Sequence, residues 1–258
     1  MTKKVAYVTG GMGGIGTAIC QRLAKEGMTV IAGCGPTRNF QQWIDEQAAL
    51  GYTFHVSVGN VSDWDSTEAA FKKAVAEHGP IDVLINNAGI TRDGVFRKMS
   101  VQDWQAVMDT NVTSLFNVTK QVIDPMVERG FGRIINITSA MVTSPNPFMT
   151  LSIGARAGLT GAAKAVSKEV AVDNVTINNI LPERVNTDRQ KQMAEMAVKF
   201  KGITMDEAYA EMAETIAAKR LGLPSEVGDA CAYLCSVQAS FISGQNLHLD
   251  GGSYSGLI

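Results

Sequence analysis

The sequence predicts an α/β fold: a single Rossmann-type doubly wound parallel sheet of seven strands with helices on both faces. Three observations carry that prediction. Short apolar, β-branched runs alternate with longer stretches of helical period along the whole chain. The runs are apolar at successive residues, which is the pattern of strands buried on both faces. A glycine cluster, "VTGGMGGIG" (8–16), stands where the first run ends and the first helix opens.

The elements follow in order. "KVAYVTG" (4–10) is the first strand, and a helix follows from about Gly14 to Glu26. "MTVIAGC" (28–34) is the second strand, followed by a helix near 38–50. "TFHVSVGN" (53–60) precedes a helix at 63–78, and "DVLINNAG" (82–89) precedes a long helix around 101–129. "GRIINITS" (132–139) leads to a helix over 152–173 that opens on "LSIGARAGLTG" (151–161). "NVTINNILP" (174–182) and "NLHLDGG" (246–252) are the sixth and seventh strands. No linker or composition break divides residues 1–258, so one domain is expected. Residues 189–219 depart from the rhythm, with four methionines among many charges. They read either as an adaptable substrate lid at the sheet's edge or as an ordinary amphipathic helix pair.

Bulk properties narrow the function. The chain has 258 residues, 45% hydrophobic content and a formal charge of −2, which gives no support for nucleic-acid binding. No run of 18 apolar residues suggests a membrane span, and no signal peptide is recognised. Cys20, Cys34, Cys231 and Cys235 read as core residues of a protein of the reducing cytoplasm. His55, His78 and His248 are scattered, and none pairs with a cysteine at metal-ligand spacing, so no metal is expected.

The glycine cluster suits a pyrophosphate. Glycines let the backbone turn tightly and approach the phosphates, whose charge is met by the helix N-terminus. A site for NAD wants an acid at the end of the second strand to hold the ribose hydroxyls. "AGCGPTRN" (32–39) has none. Arg38 either meets a 2′-phosphate or is a solvated loop arginine; the first reading makes NADP(H) the expected cofactor.

Thr9-Gly10, Gly14 and Gly16, then "NNAG" at 86–89, Asn111 in "DTNVTS" and Ser139 in "NITS", together resemble the short-chain dehydrogenase/reductase family. The resemblance covers the whole chain, including "SGQNLHLDGG" near the C-terminus. The first 140 residues resemble bacterial acetoacetyl-CoA reductases, NADPH enzymes of polyhydroxyalkanoate synthesis, and the second half a more divergent branch. The resemblance implies hydride transfer between a nicotinamide and a carbonyl or alcohol. It implies cofactor contacts from Gly10, Gly14, Ile15, Gly16, Asn60, Val61, Asn87, Ala88, Gly89, Pro182 and Thr187. It also implies a homotetramer, in which the helices at 101–129 and 152–173 meet their copies. The small residues Gly154, Ala155, Ala157, Gly158, Gly161 and Ala162 permit close approach there.

The family's catalytic set is Asn, Ser, Tyr and Lys, the last two as Tyr-x-x-x-Lys. Asn111 and Ser139 match. Thirteen residues after Ser139, where the Tyr is expected, stands Ser152; four later, where the Lys is expected, stands Arg156. The family's Pro-Gly after the sixth strand is Pro182-Glu183, which puts a carboxylate either near the nicotinamide or in solvent. An aliphatic hydroxyl is a far poorer acid than a phenol of pKa about 10. An arginine stabilises a developing alkoxide but cannot pass a proton on. Three readings stay open. In the first, Ser139, Ser152 and Arg156 polarise the carbonyl of a 3-oxoacyl thioester or similar small ketone while water supplies the proton. In the second, the chain is a catalytically weak nucleotide-binding partner subunit. In the third, another acid enters, such as Tyr209 or Tyr254.

Overall fold

The structure, a computed structural model, describes residues 3–257. Seven strands form one sheet in the order β3-β2-β1-β4-β5-β6-β7. They are β1 Val5–Thr9, β2 Thr29–Cys34, β3 His55–Val58, β4 Val83–Asn86, β5 Gly132–Ile137, β6 Val175–Pro182 and β7 Asn246–Leu249. Every pairing is parallel. The expected fold class holds, and so does the expected two-sided burial. All five residues of β1 and all eight of β6 are buried.

Alternate side chains of these strands enter two separate cores. On one face Ala6, Val8 and Ile85 pack with α1 (Gly14–Lys25) and with α10 (Pro224–Cys235). On the other, Val5, Tyr7 and Leu84 pack with α3 (Trp64–His78) and α7 (Thr150–Val170). The four cysteines are free and buried, as expected of core residues. Burial pushes the Cys235 thiol up to about 12. No helix among the described residues is long and apolar enough to cross a membrane.

The boundaries differ from expectation for identifiable reasons. The second helix, α2 (Gln41–Ala49), starts three residues later than expected, where the Asn39 side chain accepts from Gln41 N at 3.3 Å. The expected helix over 101–129 is broken into α4 (Val101–Met108), a π-turn (Asp109–Thr113), α5 (Ser114–Lys120) and α6 (Ile123–Glu128). The last break precedes Pro125, which has no N–H to give to the carbonyl four residues earlier and crowds it. The seventh strand stops at Leu249, because Gly251 and Gly252 turn with φ of 60° and 82°. Residues 189–219 hold most of α8 (Asp188–Lys201) and all of α9 (Met205–Ala213). That pair closes a small core of its own around Ala194, Ala208 and Met212. Helix α10 carries Cys231 and Cys235 one turn apart, both buried. Its first turn is tied by Leu223 N donating to Glu226 Oε2 at 2.6 Å.

Four asparagines run across the sheet in register. Asn86, Asn136, Asn179 and Asn246 are paired neighbours on β4, β5, β6 and β7. Each amide donates to the next: Asn86 to Asn136 at 2.9 Å, Asn136 to Asn179 at 2.8 Å, Asn179 to Asn246 at 2.8 Å. The side chain between two strands thus satisfies both its donor and its acceptor inside the protein.

Candidate active site

The C-terminal ends of β5 and β6, the segment after β4 and the start of the helix after β1 open on one cleft of about 310 Å³. This is where ligands bind in doubly wound sheets. The glycine loop after β1 is packed too closely for side chains. A Cβ built at Gly16 would lie 2.2 Å from Gly10 O. One built at Gly14 would lie 2.9 Å from Thr187 Cγ2. No side chain caps α1 at Gly13, so its leading N–H groups remain for an anion.

The end of β4 is clamped to the end of β1. Thr9 Oγ1 accepts from Asn87 N at 2.9 Å and from Ala88 N at 3.0 Å. Asn87 Nδ2 donates to Thr9 O at 3.1 Å and Gly10 O at 3.0 Å. Ile15, Asn87, Gly89, Pro182 and Thr187 all line the cleft. Val61 and Ala88 line a small adjoining cavity. Asn60 is exposed, and its Oδ1 accepts from Ser62 N at 3.2 Å within its own turn. Arg38 lies outside the cleft but beside the glycine loop, where Nη2 donates to Met12 O at 3.2 Å.

Asn111 sits in the π-turn, 4% exposed. Its Oδ1 accepts from Ile90 N at 2.8 Å and its Nδ2 donates to Ile90 O at 2.9 Å. It therefore fixes the segment after Gly89 and borders only the small cavity, which Arg156 also touches. π-turns of this kind mark functional sites more often than chance.

Ser139, Ser152 and Arg156 come together along the cleft. Ser139 Oγ accepts from Met141 N at 3.2 Å. Ser152 is 3% exposed, its N–H donates to Asp93 Oδ1 at 3.0 Å, and its hydroxyl accepts from the Arg156 guanidinium one turn on. The guanidinium extends toward the end of β4: a Cβ at Gly89 would lie 3.6 Å from Arg156 Nη2. Burial lowers the Arg156 pKa, Asp93 opposes that and Arg189 adds to it. The group stays cationic at neutral pH. Because both serine oxygens accept from fixed N–H donors, their own hydrogens are available for a carbonyl oxygen in the cleft.

Glu183 follows Pro182, and its N–H donates to Leu249 O at 3.1 Å. Its side chain is only 10% exposed and lines the cleft. Of the two expected placements, solvent is ruled out. Burial pushes the carboxyl pKa up, Arg184 at 3.9 Å pulls it down, and Asp250 pushes it up again. Tyr209 packs beside the small α8–α9 core, and Tyr254 stacks on His248 at 4.4 Å; neither lines the cleft.

Three participants had no sequence signal. Asp93 orients the start of α7, and its Oδ2 is buried without a hydrogen bond among the described residues. Arg184 and Arg189 add positive charge to the cleft wall. All three lie on loops or helix starts whose approach to the cleft is set by the tertiary fold. Among the described residues no three His, Cys, Asp or Glu side chains group to hold a metal.

The same architecture recurs in known proteins. The family model for short chain dehydrogenases matches residues 4–197. Acetoacetyl-CoA reductase of Cupriavidus necator is 51% identical over 257 residues, covering 99% of this chain and 100% of that protein. The likeness therefore extends through the second half of the chain. The 3-oxoacyl-acyl-carrier-protein reductase of Escherichia coli is 36% identical, covering 97% of each chain. A variant actinorhodin polyketide ketoreductase, solved with NADPH, superposes with a TM-score of 0.92 at 31% identity, covering 98% of each chain. The chain is an oxidoreductase homologous to acetoacetyl-CoA reductase, and it belongs to the short-chain dehydrogenase family.

Proposed function

We propose that the protein reduces a small carbonyl compound with NADPH, the substrate being a 3-oxoacyl thioester such as acetoacetyl-CoA. Ser152 and Arg156 stand in for the family's Tyr and Lys. One observation carries this reading. A single cleft joins the dinucleotide-side residues Ile15, Asn87, Gly89, Pro182 and Thr187 to the polar group Ser139, Ser152 and Arg156. The crowded glycine loop and the uncapped start of α1 fit a dinucleotide, and Arg38 beside Met12 fits a 2′-phosphate. When bound, the nicotinamide supplies a hydride. The chain's task is then to hold the carbonyl and stabilise the negative charge that grows on its oxygen. The free hydrogens of Ser139 and Ser152 and the Arg156 cation are suited to it. Solvent is the ultimate source of the proton.

Within this reading residues 1–258 form one domain, and α8 and the segment to residue 219 close over the substrate. Arg189, Gln190 and Met193 of α8 already line the cleft. The small residues of α7 support a homotetramer, and Gly154, Gly158 and Gly161 have open space beside them in the single chain. A second reading, a nucleotide-binding partner subunit with little activity, is favoured by the lack of any Tyr or Lys among the cleft-lining residues. NADPH consumption over a panel of carbonyls, acetoacetyl-CoA first, separates the two. Turnover supports the enzyme, and NADPH binding without turnover supports the subunit.

A further inference from the structure

We propose that Glu183 is the acid that delivers the proton in this reduction, doing in this cleft what no phenol or amine there can do. The inference rests on carbonyl reduction as proposed above. The cleft wall offers few proton donors among the described residues. Ser139, Ser152, Thr91, Thr138 and Thr187 carry aliphatic hydroxyls, whose protons are too tightly held to be released at neutral pH. Arg156, Arg184 and Arg189 carry guanidiniums that do not deprotonate in proteins. Glu183 is the remaining ionisable donor on that wall.

Its placement suits the task. It follows Pro182 and lines the same cleft as Ser139, Ser152, Arg156 and Thr187, the cleft in which the proposed reduction would take place. The carboxyl accepts no hydrogen bond from the described protein and is held at arm's length from Arg184 Nε, at 3.9 Å. The charged groups around it are opposed. Arg184 on its own segment favours the carboxylate. Asp250, beyond β7 and 3.6 Å from His248 Nδ1, disfavours it, as does burial. Burial outweighs the rest, so the proton is held to higher pH than on an ordinary glutamate.

The step balances. The carbonyl carbon gains a hydride from the reduced nicotinamide, and the π pair of the C=O bond moves to oxygen. That oxygen takes a proton as the Glu183 O–H bond breaks, and the carboxylate then recovers a proton from solvent. Two electrons leave the cofactor, and the carbonyl is reduced to an alcohol.

The experiment is a pH–rate profile for acetoacetyl-CoA reduction with NADPH, on the parent, Glu183→Gln and Glu183→Asp, with NADPH affinity measured on each. The parent kcat is expected to fall as pH rises through the Glu183 pKa. Glu183→Gln is expected to lose about 10²–10⁴ in kcat together with that pH limb. Its KM and NADPH affinity should stay near the parent's, which also shows that it is folded. Glu183→Asp should keep a pH limb at a reduced rate. A Gln variant with the parent's kcat and pH profile overturns the assignment of Glu183 while leaving carbonyl reduction standing. A parent that binds NADPH but turns over no carbonyl overturns both.

Discussion

The Arg156 guanidinium donates a hydrogen bond to the hydroxyl of Ser152, one turn earlier on the same helix. This contact joins two residues that are individually poor proton donors into one unit. Arginine has no acceptor, so the bond must occupy a lone pair of Ser152 and leave its hydrogen free. The cation beside that oxygen also makes the hydroxyl a stronger donor to a carbonyl. The pair can stabilise an alkoxide, but it cannot relay a proton as a Tyr–Lys pair does.

Rebuilding an acid in place should therefore rescue a chain from which Glu183 has been removed. In the Glu183→Gln background, Ser152→Tyr with Arg156→Lys is expected to reduce acetoacetyl-CoA faster than Glu183→Gln alone, by up to about 10²–10⁴. Ser152→Tyr alone should gain less, because Arg156 cannot pass protons onward. Steady-state rates at saturating NADPH check this. A rebuilt pair that slows the reaction while NADPH affinity is intact would mean that the native pair works by a mechanism of its own.

Cofactor choice should depend on Arg38. It already contacts the glycine loop through Met12 O, and no acid stands near the end of β2 to hold a ribose diol. NADPH should bind more tightly than NADH. Arg38→Ala should narrow the gap by about tenfold or more, the size of one charge-assisted hydrogen bond of about 1.5–3 kcal/mol. Fluorescence titration of both nucleotides at fixed salt measures it. Equal affinities in the parent would defeat the assignment.

The asparagine ladder should be costly to cut in the middle. Asn136 is 1% exposed and bridges Asn86 and Asn179. Asn136→Leu leaves the buried Asn179 Oδ1 without its partner and takes one of two acceptors from the half-buried Asn86 amide, at roughly 1–3 kcal/mol for the buried acceptor. Urea unfolding should show the loss as a lower midpoint at unchanged slope. A midpoint within error of the parent's would mean that water replaces the missing amide.

Glu183 should make stability depend on pH. Its carboxyl pKa is raised in the folded chain, chiefly by burial, so the folded state holds the proton where the unfolded chain, near pH 4.3, has lost it. Stability therefore falls as pH climbs from that value through the folded pKa. Glu183→Gln removes the effect. Its urea midpoint should exceed the parent's by more at pH 8 than at pH 4. An offset independent of pH would show that the carboxyl is not shifted.

The sheet was legible because β1 and β6 are apolar on both faces and need no tertiary information to be recognised. The glycine loop and the Ser152–Arg156 spacing were legible for a similar reason, since strand ends and i,i+4 helical spacing are local, whereas Ser139 was singled out only by the family resemblance. What stayed hidden depends on distant pairing. Asn86, Asn136, Asn179 and Asn246 looked like polar interruptions until strand register aligned them. Asp93 and Arg189 lie 59 and 37 positions from Ser152 in sequence, with no periodicity linking them to it. Asn111 was expected in an unbroken helix. Its two bonds to Ile90 accompany the π-turn that interrupts that helix.

The most direct test is NADPH consumption with acetoacetyl-CoA by the parent and by Ser152→Ala, both first shown to bind NADPH. If Ser152 and Arg156 form a working site, the parent turns over well above the protein-free blank. Ser152→Ala then slows by about 10²–10³, the usual loss for one oxyanion-stabilising donor. A parent that binds NADPH yet consumes it no faster than the blank, or a Ser152→Ala variant as fast as the parent, would contradict a working Ser152–Arg156 pair.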